Sequence, residues 1–391
     1  MNFSINKNII ILSLAFLLIF FGYSGVQQYL TIFFSESQKA AVGFWSLILV
    51  YTAFVLSGPL SAIFVSKFGA KKCMIFSTLA YSLFIASLLS TSVSLVYAAS
   101  ILLGIAAAFL WTGQGTYFIR ASREDSYGAN SGFFNTIEPI GPGLGVIILG
   151  LLISQFSFKF PFLIFAAFPL AGLFLLFFLQ DLKDSSETRK NYRFSFLKKI
   201  LISPTALKVS AIWFAPYFVL GLVFGILPLQ IKYNLGILYV GIFSFAIYIL
   251  PILISYFLGR LSDARGRQEM LVISYIFLIA GLTFMLFNLS SFFIIGLSLL
   301  ILNMAIVRIA IYALIGDVGS QNNLEFISAL FNMVGNVAVV AALVISQIFK
   351  TDIKLIYIFS ILISLTAFFI LIPLFRMKTS VIKEKIIQET A

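Results

Sequence analysis

From Ile9 to Phe34 the chain runs without a charged side chain, and eleven more apolar stretches follow at short intervals. The twelve are 9–34, 42–65, 73–90, 95–119, 129–154, 161–179, 209–230, 238–258, 270–288, 291–315, 326–348 and 355–375. Each is close to the ~20 apolar residues that carry an α-helix across a hydrocarbon core. No water reaches that core to bond stray backbone amides, so the stretches must be helices that satisfy their own backbones. This predicts an all-α membrane protein of twelve transmembrane helices. Composition agrees: a soluble chain that is 61% hydrophobic and 10% charged would have no polar coat. The first stretch follows Lys7 like a secretory signal, but it is long enough to span and reads as an uncleaved first helix.

The charges outside the stretches set orientation and organisation. Of the 26 basic residues, Arg308 lies within a span, and Lys39, Lys159, Lys232, Lys350 and Lys354 lie on the side opposite the N-terminus; the other 20 share the N-terminal side. Lysine and arginine mark cytoplasmic loops, so both termini are expected in the cytoplasm, at the plasma membrane of the cell. The connections are short except for a polar stretch carrying Arg189, Lys190, Arg193, Lys198 and Lys199. It divides the chain into a six-helix bundle at 1–180, a basic cytoplasmic linker at 181–208, and a second bundle with a short tail at 209–391. The net charge of +12 is therefore a topology signal lying against lipid headgroups, with no nucleic-acid partner implied.

Composition also excludes chemistry. With no histidine and one cysteine, Cys73, the chain offers no histidine-based catalysis, no histidine-ligated metal and no internal disulfide. No Gly-xxxx-Gly-Lys-Ser/Thr loop is present, so nothing points to a nucleotide or another cofactor. The chain is not expected to be an enzyme.

The two halves share a phrase. Residues 259–267 read Gly-Arg-Leu-Ser-Asp-Ala-Arg-Gly-Arg, and a worn copy runs from Ala62 to Lys72, with Ser66 in place of Asp263 and Gly69 in place of Gly266. At the same offset Ser131-Gly-Phe-Phe-Asn135 aligns with Ser328-Ala-Leu-Phe-Asn332. Two places sharing one offset indicate duplication, and an even number of spans per half gives parallel repeats.

Twelve spans, a central basic linker and the Gly259-x-Leu261-Ser262-Asp263-x-x-Gly266-Arg267 loop resemble the major facilitator superfamily over the whole chain. Leu103-Gly-Ile-Ala-Ala-Ala-Phe-Leu-Trp-Thr-Gly-Gln-Gly-Thr-Tyr117, followed by Asn130-Ser-Gly-Phe-Phe134, resembles the uncoordinated-93-like branch. The resemblance implies two six-helix bundles that rock about a central site, with spans 1, 4, 7 and 10 lining it. It also implies that the loop at Gly259, Asp263, Gly266 and Arg267, echoed at Gly69, latches one cytoplasmic conformation. The branch includes channel regulators, so a non-transporting membrane scaffold is the rival to a transporter.

Two charges lie inside spans, Glu138 in the fifth and Arg308 in the tenth. A charge in the bilayer centre costs about 2.5–3.5 kcal/mol even on lenient scales, and so faces a cavity or a partner. They lie about 14 Å and about 12 Å from the cytoplasmic ends of their helices. They are the expected inter-half pair, with Glu138 the candidate proton carrier. Around Glu138 the run Pro139, Gly141, Pro142, Gly145 predicts a kinked, closely packed helix. Gly141, Pro142 and Gly145 fit part of an antiporter phrase that Ile137 and Val146 do not, a faint lean towards export. Candidate cavity residues are Gln28 and Tyr29 with Ser24 and Gln27 in span 1, Trp111, Gln114 and Tyr117 in span 4, Trp213 and Tyr217 in span 7, and Tyr312 in span 10. Aromatics with a few amides suit a small organic solute, carried by a monomer embedded in the lipid bilayer, with or without protons.

Overall fold

The structure is a computed structural model that describes the chain except residues 1–5, 91, 123–126, 183–198, 200, 201, 288, 319–323 and 391. Its α-helices are α1 (Lys7–Glu36), α2 (Ala40–Phe68), α3 (Ala70–Ser87), α4 (Val93–Ala121), α5 (Tyr127–Ile137), α6 (Ile140–Phe156), α7 (Lys159–Phe165), α8 (Ala167–Phe177), α9 (Pro204–Ser210), α10 (Phe214–Phe224), α11 (Leu227–Leu235), α12 (Ile237–Arg265), α13 (Arg267–Leu286), α14 (Ser290–Val318), α15 (Leu324–Ile348), α16 (Ile353–Phe375) and α17 (Thr379–Thr390). Among the described residues there is no strand. Among the described residues, eleven helical segments are long and apolar enough to cross a membrane. The expected span 73–90 is α3, whose first turn carries Lys71 and Lys72.

Helix ends follow local chemistry. The Asn6 side chain accepts a hydrogen bond from the Asn8 N–H, and the Ser92 hydroxyl accepts from Leu95, each satisfying an orphan amide of the first turn. The duplicated phrase repeats in backbone geometry too. Gly69 (φ 89, ψ 145) separates α2 from α3, and Gly266 (φ 97, ψ 150) separates α12 from α13. A side chain is strained at such positive φ, so glycine turns the chain at both places. The Arg189, Lys190, Arg193 and Lys198 part of the basic linker lies outside the described residues.

The chain forms two compact units, one of 1–190 with 224–249 and one of 191–223 with 250–391. The changeovers fall where α10 ends before the turn at Gly225 and Ile226, and beside Pro251 within α12. In the first unit α1 is central. It packs on α2, α6 and α8, and it also meets α11. Close approach is bought by glycine: a Cβ on Gly141 or Gly145 of α6 would collide with the carbonyl oxygens of Leu17 and Phe21 on α1.

In the second unit α13 packs along α14 and against α16, and α17 docks on α9 and α14. The tail at 379–390 is thus a helix, with Ile382 and Ile386, one turn apart, buried beneath it. Its Glu389 carboxylate accepts from Ser203 Oγ, Thr205 Oγ1 and the Thr205 N–H, the last at 3.0 Å. Ser203 is itself the N-cap of α9, so Glu389 completes that cap from the far end of the chain.

Candidate functional site

A buried polar cluster of the first unit is built on one face of α1. Tyr23 and Gln27 are one turn apart, and both side chains are buried. The Gln27 amide donates to the Tyr51 hydroxyl of α2 at 2.7 Å. Tyr23 meets Tyr81 of α3 edge to face, with centroids 5.0 Å apart at 87°. Tyr23 interacts electrostatically with Tyr81 and with Tyr248 of α12, and Tyr51 with Tyr23, Tyr81 and Tyr248. Polar groups held in a hydrocarbon setting need partners, and the Gln27–Tyr51 hydrogen bond is one such pairing.

An aromatic row extends this cluster along α1. Phe20 lies 5.8 Å from Tyr81 and 5.2 Å from Trp111 of α4, by ring centroids. Phe16 lies 5.6 Å from both Trp111 and Phe134 of α5. Phe134 is one turn before Glu138, so the row runs from the tyrosines towards the buried acid. Glu138 occupies the two-residue break between α5 and α6 and is 9% exposed. Its N–H donates to Phe134 at 2.9 Å, while its carbonyl accepts from Gly141 at 3.1 Å. Pro139 and Pro142, which lack an N–H, account for the break.

The remaining candidates sit elsewhere. Tyr29 is two residues beyond Gln27, about 200° around the helix. It points away from the cluster, with its hydroxyl against Gly150 of α6 and Gly241 of α12. Gln28 is buried on α1, and Gln114 is half-buried on α4. Tyr117 donates to the Gln180 carbonyl at 2.9 Å, tying the end of α4 to the chain after α8. In the second unit Trp213 and Tyr217 meet edge to face at 4.3 Å, and the Tyr217 ring fills the notch at Gly335 of α15. Arg308 is half-buried on α14. Asn303, on another face of that helix, donates to the Ser274 carbonyl at 2.8 Å. Gly259 and the side chains of Asp263 and Tyr312 lie outside the described residues. Arg267 pairs with Asp317 at 3.3 Å, and Lys71 with Asp181 at 3.5 Å.

Four residues of the cluster, Tyr23, Tyr51, Tyr81 and Tyr248, were not singled out from the sequence. Tyr51 and Tyr81 are lone tyrosines in their apolar runs, Tyr23 shares its run with Tyr29 and Tyr248 lies between Tyr239 and Tyr256, and no spacing within the runs marks them. A second feature was also missed. At the end of α1 away from the N-terminus, α11 and the start of α12 seat on α1 and α6. Thr31 Oγ1 donates to the Gly225 carbonyl at 2.9 Å. Lys232 Nζ lies 2.8 Å from Glu36 Oε1. A Cβ on Gly241 would fall 3.0 Å from the Val146 carbonyl oxygen and 2.9 Å from Tyr29 Oη. Beside the ion pair is an open depression of about 510 Å³, lined in part by Ser154, Gln155 and Gly236.

A family model described as Major Facilitator Superfamily matches residues 12–343, with a second match over 217–389. The chain belongs to the Major Facilitator Superfamily. Among curated proteins it is 33% identical over 117 residues to UNC93-like protein 3 of Arabidopsis thaliana, which covers 30% of this chain and 24% of that protein. It is 30% identical over 193 residues to UNC93-like protein MFSD11 of Xenopus tropicalis, covering 47% and 43% respectively. It is 33% identical over 112 residues to protein unc-93 homolog A of Bos taurus, covering 28% and 24%. The matched stretch thus spans less than half of each relative's length. A crystal structure of a peptide transporter POT mutant in complex with sulfate superposes with a TM-score of 0.71 at 12% identity, over 96% of both chains. At that identity the likeness is one of fold: a multi-pass, all-helical membrane protein of the Major Facilitator Superfamily type. Membership of a transporter superfamily places the chain outside the enzymes.

Proposed function

We propose that this Major Facilitator Superfamily protein carries a small organic solute across the membrane by alternating access. The observation that carries the proposal is the Tyr23–Gln27–Tyr51–Tyr81–Tyr248 cluster. Buried polar side chains in a membrane bundle either bond helix to helix or serve a solute path, and this cluster gathers more hydroxyl and amide groups than the Gln27–Tyr51 hydrogen bond uses. With the N-terminus in the cytoplasm, as the basic loops favour, the Thr31–Gly225, Glu36–Lys232 and Tyr29–Gly241 contacts lie on the outer side. They would hold that side shut and would have to release in each cycle. On the cytoplasmic side Asp263, with Gly259, Gly266, Arg267 and Gly69, would serve as the latch. Glu138 and Arg308 would couple movement to solute or proton, pairing in at least one conformation.

The test is flux in proteoliposomes of the purified protein. Uptake or efflux of labelled solutes is measured with and without a pH gradient, in the parent and in Glu138→Gln, Arg308→Gln and the double variant. The proposal expects flux in the parent and non-additive losses in the variants. Strictly additive losses argue against the pair. Absence of flux for every solute favours the scaffold reading that the UNC93-like relatives suggest. Solute efflux driven by an inwardly directed proton gradient would support the lean towards export, and size-exclusion with light scattering would check the monomer.

A further inference from the structure

We infer that the tyrosine–glutamine cluster is the solute-recognition site and that its ligand is an uncharged ring molecule bearing hydroxyl or amide groups. This rests on the transport reading above and narrows it to a substrate class.

Among the described residues, the groups that act electrostatically on the Tyr23, Tyr51 and Tyr81 hydroxyls are other tyrosines and the Gln27 amide, all uncharged. An ionic solute taken from water into such a place would find no counter-charge to offset its desolvation. A neutral solute meets the opposite situation. Each phenol both donates and accepts, and the glutamine amide supplies two donors and an acceptor, so hydroxyl and amide groups of either polarity are satisfied. Geometry adds the ring. Tyr23 and Tyr81 stand edge to face, Phe20 flanks both, and Trp111 continues the wall 5.2 Å from Phe20. Mutually tilted aromatic faces suit a flat or puckered ring with one apolar side, while polar groups at its rim reach the hydroxyls. Accessibility fits as well. Tyr51 and Tyr248 are half-buried, which leaves them reachable, while Tyr23, Gln27 and Tyr81 are buried behind them. The Gln27–Tyr51 hydrogen bond is the internal contact a ligand would replace.

The experiment reads ligand-induced thermal shift of the purified full chain, followed by flux in proteoliposomes. The probes are methyl β-glucoside, myo-inositol and uridine as neutral rings, tetraethylammonium and choline as cations, and benzoate and succinate as anions. The inference expects stabilisation by one or more neutral probes and by none of the ions. In Gln27→Ala and Tyr51→Phe the ligand concentration for half-maximal shift should rise about tenfold or more, the scale of one lost buried hydrogen bond. Tyr357→Phe, altering a buried tyrosine of the other unit, should leave that concentration unchanged. Stabilisation and flux by a charged probe would overturn the substrate class while leaving transport intact. A neutral probe whose effect persists in Gln27→Ala and Tyr51→Phe would overturn the site. Neither shift nor flux with any probe would overturn both readings together.

Discussion

Release of the contacts at the Glu36 end of α1 should be governed by the buried hydrogen bond of Thr31 more than by the ion pair above it. The Lys232 and Glu36 side chains are 33% and 47% accessible, so their 2.8 Å contact is largely solvated. Exposed pairs are worth about 0.2–1 kcal/mol, and Lys232→Gln should therefore raise the open-to-closed ratio about 1.4- to 5-fold. Thr31 is fully buried, and its hydroxyl is given to the Gly225 carbonyl where α10 has ended. Thr31→Val keeps the shape but leaves that carbonyl unpaired, costing about 1–3 kcal/mol, or about 5- to 150-fold in the same ratio. The assay uses a reporter cysteine at Val146, whose side chain is fully buried beneath Gly241, in a background in which Cys73, the chain's one cysteine, is replaced by serine. The maleimide labelling rate in detergent follows the open fraction. Thr31→Val should label faster than Lys232→Gln, and raising salt should accelerate the parent but not Lys232→Gln. Equal rates in Thr31→Val and the parent would refute the reasoning, as would a larger effect from the ion-pair variant.

Other outcomes follow from the packing. Burial works to raise the Glu389 pKa, but hydrogen bonds from Ser203 and Thr205, with the nearby Lys385, outweigh it and hold the carboxyl below its ordinary value. A carboxylate with a depressed folded pKa contributes stability above its unfolded pKa and loses it as pH falls through the folded one. Thermal unfolding of the parent should thus weaken in that acidic window, and Glu389→Gln should show a smaller loss there. Gly145→Val should destabilise by about 1–3 kcal/mol or push α6 off α1, seen as a lower melting temperature, because its Cβ would meet the Phe21 carbonyl. Tyr117→Phe should cost about 1 kcal/mol through loss of its bond to the Gln180 carbonyl, without altering ligand affinity in the thermal-shift assay.

Much of the architecture could be read directly. The break at Glu138 and Pro139 was written in two prolines and three glycines within eight residues, and the structure places α5 and α6 on either side of it. The duplicated phrase foretold the paired positive-φ glycines at 69 and 266. Other features were less visible. The helix at 379–390 is too polar to read as a span, although Ile382 and Ile386 at a one-turn spacing were a signal for it. Lys232 and Glu36 are 196 residues apart, and nothing local joins them.

The site shows the same division more sharply. Gln27 was in view as a polar residue of the first span, and Tyr23 at i−4 shares its face by helical geometry alone. Tyr29 was in view for the same reason, yet a two-residue step turns it to the opposite side. Hydropathy settled that these helices cross a membrane, because each must satisfy its own backbone in lipid, and it did so without reference to any neighbour. It could not settle the rotation of α2, α3 and α12 about their own axes. In runs apolar all round, no polar stripe fixes the phase, and only close packing turned Tyr51, Tyr81 and Tyr248 towards Tyr23 and Gln27.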